Sequence, residues 1–238
     1  MKESIKSHYQ GLSQASDSTR HYKNIPMLCS DGIHQYITEL SQKYINDSSR
    51  VLDIGCGQGS LSLRLSDQGY DVNACDEFDF CKCKDQVNFI NSKIEDLDTK
   101  EKFDGVFAVE VIEHVENIFQ FLKIAKGLTK EDGYIFITTP NVETFTSKLR
   151  FLLYGEHVLF GEQNLKEDGH INPVHKFQIE YACECYGLKI EEDMSILNET
   201  FPKNIFKQML YSLMYIPVLF SKHKPDKGKI KVYVLSHK

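Results

Sequence analysis

Three residues able to do acid–base chemistry stand close together near the middle of this sequence. They are Glu110, Glu113 and His114, in an E-x-x-E-H spacing. Residues three and four positions apart share one face of a helix, so the spacing predicts that these side chains project together. A neutral imidazole can accept a proton from a hydroxyl group, which makes His114 the candidate general base and the two glutamates catalytic partners. The alternative is structural: His114 hydrogen-bonds a neighbour and starts a helix over residues 115–126.

A second candidate histidine, His170, lies in the segment G-H-I-N-P at residues 169–173. Polar side chains on loops near strand ends commonly bind ligands, so His170 is the candidate contact to a substrate and completes the predicted catalytic set. The alternative is that His170 and Asn172 only organise a proline turn. Asn141, which follows a predicted strand, is open to the same two interpretations.

These groups need a scaffold, and its clearest part is the run V-L-D-I-G-C-G-Q-G-S at residues 51–60. A buried strand breaks into a loop with three glycines at alternate positions, and an amphipathic helix follows over residues 61–68. Such glycines let the backbone turn sharply and approach a ligand beside the free N–H groups of a helix start. A dinucleotide loop has its third small residue one position later, where this chain has Ser60. The spacing therefore indicates a nucleotide-type ligand without a diphosphate.

Acidic residues stand where three predicted strands end. Asp53 closes the first strand, and Asp76 follows the apolar run at residues 70–75. Glu110 stands at the end of a third predicted strand. From residue 50 onward, short apolar runs alternate with helical patterns, which favours β-α-β units, a parallel sheet and helices on both faces. Strand carboxyl ends meet at one edge of such a sheet, so the three acids are expected to converge on one crevice.

The glycine run resembles the first motif of the class I S-adenosylmethionine-dependent methyltransferases, and Asp76 matches their ribose-binding acid. Similar segments continue in the expected order over roughly the middle half of the chain. The resemblance implies an α/β, doubly wound Rossmann-like fold with a mostly parallel seven-stranded sheet and an antiparallel last strand. It implies S-adenosylmethionine as the methyl donor. The implied cofactor-binding residues are Asp53, Gly55, Cys56, Gly57, Gly59, Asp76, Glu77, Ile94, Glu95 and Glu110.

One position departs from that family pattern. The family often has an acid at the place of Lys93, and a lysine ammonium group cannot accept a hydrogen bond. Glu95 or Asp96 could take over this role, or these two acids could simply start the next helix favourably.

The E-x-x-E-H run also resembles two subfamilies that methylate oxygen. One comprises the ubiquinone-pathway O-methyltransferases, and the other methylates the 2′-hydroxyl at small-RNA 3′ ends with a divalent metal held by two glutamates and two histidines. His170 or His175 could supply a further ligand here. The spacing permits a metal without requiring it, so no metal site is predicted. A formal net charge of −6 disfavours nucleic acid as a partner, which leaves RNA methylation as the alternative function.

The acceptor half of the chain is less specific. The G-H-I-N-P segment resembles methyltransferases of polysaccharide and cell-envelope pathways, which implies a small-molecule, sugar or lipid-linked acceptor. Residues 145–160 are apolar and aromatic, and the apolar run within residues 201–224 is rimmed by lysines. Three interpretations stay open for these segments: peripheral membrane contact, a homodimer interface, or packing on the core. A non-catalytic module that binds the cofactor is the competing class of function.

Composition favours one domain inside the cell. The 238 residues are 41% hydrophobic and 26% charged. We expect neither a secretory signal nor a segment that spans a bilayer, because the start and the later runs lack a long apolar stretch. Seven cysteines, an odd number, suit a reducing cytoplasm, and the two C-x-C pairs lack the usual zinc spacing. We expect residues 1–49 to be a helical lid with Tyr9 and Tyr22 as candidate cofactor contacts. Residues 50–141 should form the cofactor-binding core, 142–187 the acceptor segment, and 188–238 the closing strands around an insertion at 198–228.

Overall fold

A seven-stranded sheet forms the centre of the computed structural model, which describes residues 20–97, 99–199, 204–220 and 224–238. A short hairpin of β1 (His21–Tyr22) and β2 (Ile25–Pro26) precedes it. The sheet strands are β3 (Arg50–Ile54), β4 (Asp71–Asp76), β5 (Asn88–Asn91), β6 (Phe103–Val109), β7 (Thr129–Pro140), β8 (Leu188–Asn198) and β9 (Gly228–His237).

The strand order across the sheet is β5-β4-β3-β6-β7-β9-β8. Neighbouring strands from β5 to β7 pair in parallel, whereas β9 is antiparallel to both β7 and β8. The order reverses direction at β3, which puts the end of β3 at the switch point where open α/β sheets bind their ligands. The predicted mostly parallel sheet with an antiparallel last strand is confirmed.

Helices cover both faces of this sheet. They are α1 (Ile33–Ser41), α2 (Ser60–Asp67), α3 (Ile118–Leu128), α4 (Phe145–Tyr154), α5 (Glu162–Glu167), α6 (Lys176–Tyr186) and α7 (Ile205–Leu219). The apolar sides of α1 and α2 enter one buried cluster, and those of α3 and α6 enter another on the opposite face. The doubly wound layering is therefore confirmed, because each face of the sheet has its own core.

Two local expectations were wrong. The helix predicted over residues 115–126 runs from Ile118 to Leu128, because the Asn117 side chain caps it by accepting hydrogen bonds from the backbone N–H groups of Phe119 and Gln120, both at 3.0 Å. The described part of the lead-in contains the β1–β2 hairpin as well as α1, so it is not purely helical. No helix within the described ranges is long and apolar enough to cross a membrane.

Candidate functional site

The glycine loop between β3 and α2 is closely packed and conformationally demanding. Gly55, Gly57 and Gly59 have φ values of 66°, 54° and 89°, in the left-handed region that favours glycine. A Cβ added at Gly55 would lie 2.7 Å from a methyl carbon of Val111, and one at Gly59 would lie 2.6 Å from the Cys83 sulfur. The loop therefore needs glycine for both its backbone conformation and its contacts.

Two carboxylates stand behind this loop, as predicted from the strand ends. Asp76 accepts hydrogen bonds from the backbone N–H groups of Gly57 and Phe78, both at 2.8 Å, while burial raises its pKa. Asp53 is 2% exposed and accepts a 2.5 Å hydrogen bond from the Ser62 hydroxyl. Burial raises the pKa of Asp53 to about 7, the Ser62 hydrogen bond opposes this, and the charge of Asp76 adds to it. The two acids are thus electrostatically coupled beside one loop.

The other predicted cofactor residues lie around the same edge in different surroundings. Cys56 is buried in the loop, and Ile94 is 8% exposed on the 3₁₀ turn Ile94–Asp96. Glu77 and Glu95 are exposed. Glu95 and Asp96 form the acidic first turn after Lys93, as the helix-start interpretation expects.

Of the two candidate tyrosines of the lead-in, the structure describes only Tyr22. Tyr9 lies outside the described residues. The Tyr22 hydroxyl donates a 2.7 Å hydrogen bond to Asp67, at the end of α2 that is remote from the loop, and its ring lies under the Arg64 guanidinium at 4.0 Å. Asn141 organises the backbone, since its amide donates a 2.8 Å hydrogen bond to the Gly228 carbonyl.

Glu110 ends β6 in an unusual backbone conformation. Its φ is 56°, which side chains with a Cβ rarely adopt and which is often found at functional positions. The Thr138 hydroxyl donates a 2.8 Å hydrogen bond to its carboxylate, and burial raises the pKa of Glu110 to about 7. Thr138 lies at the end of the neighbouring strand β7. Sequence reasoning missed this threonine, although the same strand-end argument that found Glu110 could have included it.

Glu113, His114 and His170 come together in a compact group. One ligand atom from each lies within 4.8 Å of the other two, and no other group of three or more metal-ligating residues meets that distance in the part of the chain that is described. The Glu113 side chain is fully buried, and neither of its oxygens has a hydrogen-bond partner among the described residues. The His114 Nε2 atom lies 3.9 Å from one of these oxygens. The glutamate is therefore a buried acceptor facing two imidazoles.

A loop fastened to the backbone of Glu113 brings His170 to this group. The N–H groups of Ile171 and Asn172 both donate 3.0 Å hydrogen bonds to the Glu113 carbonyl. The Nδ1 atom of His114 faces the Gly169 carbonyl at 3.2 Å, and that of His170 faces the Leu159 carbonyl at 2.8 Å. A carbonyl only accepts, so each Nδ1 carries the proton and each Nε2 keeps a lone pair, as in metal-binding or basic histidines.

The electrostatics of this group favour neutral side chains. The pKa of His114 is lowered to about 4, mainly by burial and in part by the neighbouring His170. Burial also holds the pKa of Glu113 well above its usual range, with the charge of Glu110 adding to the effect. A buried acid of this kind is stabilised by a proton or by a cation. Chemically, the group can accept a proton through a neutral imidazole or hold a divalent ion.

Two details of the prediction are corrected. Residues 111–114 form a turn rather than a helix, with the His114 N–H bonded to the Val111 carbonyl at 2.9 Å, so the side chains meet through a turn. His175 is not in the group: its Nδ1 lies 3.9 Å from Glu143, and its ring stacks on Phe177. Glu110 is not a member of the group and acts on Glu113 through its charge.

A cavity of about 290 Å³ opens beside His170. Its wall is mainly aromatic and apolar, with a stacked Phe151–His157 pair whose ring centres are 4.6 Å apart. Phe160 closes the side towards His170, at 5.5 Å between ring centres. The cavity shares His170 with the Glu113 group, so a molecule in it would lie next to that group.

Comparison with known proteins identifies the family. The family model described as a methyltransferase domain matches residues 21–193. The chain belongs to the S-adenosylmethionine-dependent methyltransferases. The glycine loop at the switch point of the sheet fits this cofactor, because its three positive-φ glycines turn the backbone sharply between β3 and α2 and Asp76 lies behind it.

Relatives of this methyltransferase include ubiquinone biosynthesis O-methyltransferases. The Rickettsia felis protein is 35% identical over 136 residues, which cover 52% of this chain and 55% of the relative. The Rickettsia canadensis protein is 36% identical over 118 residues, covering 45% and 50%. The chain thus spans about half the length of the curated relatives it matches.

Solved structures show the same fold. A S-adenosylmethionine-dependent methyltransferase from Archaeoglobus fulgidus has a TM-score of 0.58 and 18% identity, covering 86% of this chain and 94% of that one. A Burkholderia thailandensis 1,6-didemethyltoxoflavin-N1-methyltransferase, solved with S-adenosylhomocysteine, has a TM-score of 0.63 and 13% identity, covering 100% and 86%. At these identities the likeness concerns the fold alone.

Proposed function

We propose that this methyltransferase transfers the methyl group to a hydroxyl oxygen of a small-molecule, sugar or lipid-linked acceptor. The observation that carries the proposal is the neutral His114 imidazole, held beside the buried Glu113 carboxyl near the cofactor edge of the sheet. When bound, S-adenosylmethionine supplies a methyl group carried by its sulfonium sulfur, and the acceptor oxygen would displace that sulfur in line. The names of the Rickettsia relatives, which are O-methyltransferases, support oxygen as the attacked atom.

Each part of the site has a role in this proposal. Asp76, Asp53 and the glycine loop would hold the cofactor, with Asp76 at its ribose. Glu110 positions the loop edge through Thr138. His114 takes the hydroxyl proton, Glu113 lies beside its Nε2 atom, and His170 orients the acceptor. We assign residues 142–187 of one continuous domain to the acceptor site, because they contain His170 and most of the aromatic cavity wall.

The Glu113 group also fits a divalent cation. Glu113, His114 and His170 would hold the ion, since a fully buried carboxylate without hydrogen bonds and two Nε2 lone pairs form a suitable donor set. A bound cation lowers the pKa of a hydroxyl that it contacts. This observation favours the metal-dependent RNA 2′-O-methyltransferase as a second candidate, although the net charge of −6 does not.

We also propose that the acceptor is reached at a membrane surface. Apolar side chains of α4, of α7 and of the residue after α7 form what is here called the apolar patch. Their exposed fractions are 47% to 85%, and they are Phe151, Leu152, Leu153, Tyr154, Ile205, Met209, Leu213, Ile216 and Phe220. Helix α7 packs inward through Tyr211 and Tyr215, whose rings meet Phe145 at 4.6 and 4.8 Å between centres. Its opposite side remains apolar and uncovered by the described residues.

Charge supports a lipid surface as the occupant of this patch. Lys148, Lys224 and Lys227 are exposed on the segments that carry or adjoin it, in a protein of net negative charge. Basic side chains beside an apolar helix face are typical of peripheral contact with anionic lipids. A homodimer would use the same residues and is the competing outcome. All seven cysteines are free, which suits a cytoplasmic enzyme working at the inner membrane face.

The test measures methyl transfer and cofactor binding separately. The protein is incubated with methyl-labelled S-adenosylmethionine and fractionated lysate, with and without EDTA, and label is counted in lipid, polysaccharide, small-molecule and RNA fractions. We expect label in a lipid, glycan or small-molecule fraction. Label in RNA that EDTA abolishes would support the second candidate instead.

Two histidine variants make the test specific. His114→Ala should lose transfer while S-adenosylhomocysteine still binds, because the base is removed and the cofactor loop is not. His175→Ala is the control, since His175 flanks the same loop but lies outside the Glu113 group. Equal transfer by both variants would contradict the role of His114. Cofactor binding without transfer to any fraction would favour a non-catalytic module.

A further inference from the structure

Two buried thiols lie directly against the cofactor loop and have no part in the function proposed above. The sulfurs of Cys81 and Cys83 are 3.7 Å apart, and these residues are 7% and 0% exposed. They lie between β4 and β5 in a segment without helix or strand structure. Residues two apart point to different sides of a helix, and in a strand they lie roughly 6.6 Å apart. The irregular backbone of this segment lets the two sulfurs come closer.

The segment of the pair is joined to the loop by two hydrogen bonds. The Cys83 thiol donates a hydrogen bond to the Gly59 carbonyl at 3.4 Å, and the N–H of Lys82 donates to the Gln58 carbonyl at 3.0 Å. A Cβ built on Gly59 would lie 3.1 Å from the Cys81 sulfur and closer still to that of Cys83. Both sulfurs therefore pack against the loop at Gly59, where one of them is hydrogen-bonded.

A soft-metal site does not explain these thiols. Cys56 also interacts with Cys81, but the three cysteines do not form a group that could hold a metal ion in the described structure. A thiolate-bound metal needs a closed set of ligands around one point. Neighbouring thiols without such a set are suited to redox chemistry.

We propose that Cys81 and Cys83 are an oxidation site, at which hydrogen peroxide forms a reversible disulfide that lowers the affinity for S-adenosylmethionine. This regulation rests on the cofactor half of the proposed function. Forming the bond must shorten the 3.7 Å sulfur separation to about 2.05 Å. The Cys83 hydrogen bond to Gly59 is lost when its thiol proton leaves, and the loop is pulled out of its binding conformation.

The redox step balances in two stages. The Cys81 thiolate attacks one peroxide oxygen, giving a sulfenic acid, and the released hydroxide takes up a proton to become water. The Cys83 sulfur then attacks the sulfenic sulfur, which forms the S–S bond and releases a second water. Two thiols are oxidised to one disulfide, and one hydrogen peroxide is reduced to two waters. A dithiol reductant reverses the change by thiol–disulfide exchange.

The electrostatics identify Cys81 as the attacking sulfur. The hydrogen bond with the Cys56 thiol, and after it the contact with the Cys83 thiol, lower the pKa of Cys81, and the charge of Lys84 acts in the same direction. The same interactions raise the pKa of Cys83, which therefore keeps its proton as the resolving thiol. Thiolate character is what selects a cysteine for oxidation.

The experiment treats the full chain with hydrogen peroxide and measures two quantities. Peptide mapping by mass spectrometry locates the disulfide, and calorimetry measures S-adenosylhomocysteine affinity before and after treatment. We expect a Cys81–Cys83 disulfide and an affinity roughly tenfold lower, both restored by dithiothreitol. Cys83→Ser retains a hydroxyl donor towards Gly59 and should lose the peroxide response. Cys81→Ala is the second variant, in case the first does not fold.

The other C-x-C pair is a matched control. Cys183 and Cys185 lie on α6, where residues two apart point to different sides, so their double serine variant should respond to peroxide like the wild type. A Cys56–Cys81 disulfide, over-oxidation without a disulfide, or a disulfide that leaves affinity unchanged would each overturn the proposal. If the reduced protein does not bind S-adenosylhomocysteine, the cofactor role fails and the regulation fails with it, whereas the mass spectrum still reports whether the disulfide forms.

Discussion

Asp71 and Asp76 begin and end the same strand in different surroundings. Asp71 is exposed and forms an ion pair with Arg50 at 2.9 Å, whereas Asp76 accepts the Gly57 N–H at the end of the strand next to the switch point. We expect Asp76→Asn to weaken S-adenosylhomocysteine binding roughly 10- to 100-fold, the value of one charged hydrogen-bonded contact. Asp71→Asn should bind like the wild type in the same calorimetric titration. Equal losses would mean that the strand, rather than Asp76, controls binding.

Asp53 makes stability depend on pH. Its pKa is raised from 3.8 to about 7 by burial, so the folded state binds the proton more tightly than the unfolded state. The stabilisation is fully present below pH 4 and is lost as pH rises through 7, by roughly 2–4 kcal/mol. His34 and His114, whose pKa values are lowered to about 4, have the opposite slope between pH 4 and 6.5.

The comparison with a variant isolates this carboxyl. Asp53→Asn keeps an acceptor for the Ser62 hydroxyl but cannot titrate, so its free energy of unfolding should fall less between pH 4 and 7 than that of the wild type. Urea unfolding at several pH values gives the difference. Parallel curves for the two proteins would show that Asp53 has an ordinary pKa.

The convergence of the strand-end acids could be predicted from the sequence, because a parallel sheet places the carboxyl ends of its strands at one edge. Asp53, Asp76 and Glu110 follow apolar runs, and parallel strands bring their ends to one edge. The meeting of His170 with Glu113 could not be derived in this way. It depends on two backbone N–H groups of a loop that bond to the Glu113 carbonyl, and no periodicity records such a contact.

At the scale of elements, Gly59 combines a backbone requirement with a packing requirement. Gly155, at the end of α4, also has a positive φ, 74°, but a Cβ there would meet nothing within 4 Å. Gly155→Ala should therefore cost about 1 kcal/mol of unfolding free energy, from backbone strain alone. Gly59→Ala should cost roughly 2–4 kcal/mol, because its methyl group also collides with two sulfurs. Urea denaturation measures both, and similar costs would show that the sulfurs yield easily.

Element boundaries were harder to predict than element types. The apolar rhythm of α3 extends back before residue 118, but the Asn117 side chain fixes the first turn, so the helix starts three residues later than predicted. The C-x-C segment showed no pattern from which its contact with Gly59 could be derived. That contact depends on irregular backbone between two strands, which sequence periodicity does not describe.

At the scale of the whole molecule, the apolar patch should decide membrane contact. Met209→Asp with Leu213→Asp places two charges on the outer side of α7 and should reduce co-sedimentation with anionic vesicles roughly tenfold or more. Tyr181→Asp is the control, since Tyr181 is 59% exposed on α6 and its ring faces Phe119 of α3. S-adenosylhomocysteine affinity should be unchanged in all three proteins.

Light scattering distinguishes the competing occupant of the patch. A wild-type protein that is monomeric and binds vesicles agrees with the proposal. A stable dimer that ignores vesicles, and that the Met209→Asp and Leu213→Asp changes dissociate, would assign the patch to a second copy of the chain.

The chain leaves the sheet for α7 and returns to it at almost the same point. Asn198, the last residue of β8, pairs with Gly228, the first of β9, and the N–H of Glu199 bonds to the Lys227 carbonyl at 3.0 Å. The pairing of β8 with β9 thus holds the two ends of the α7 segment together. We expect that exchange of this helix for another recognition element leaves the strands beneath it paired. The β8–β9 junction is therefore a suitable position for introducing new acceptor specificities.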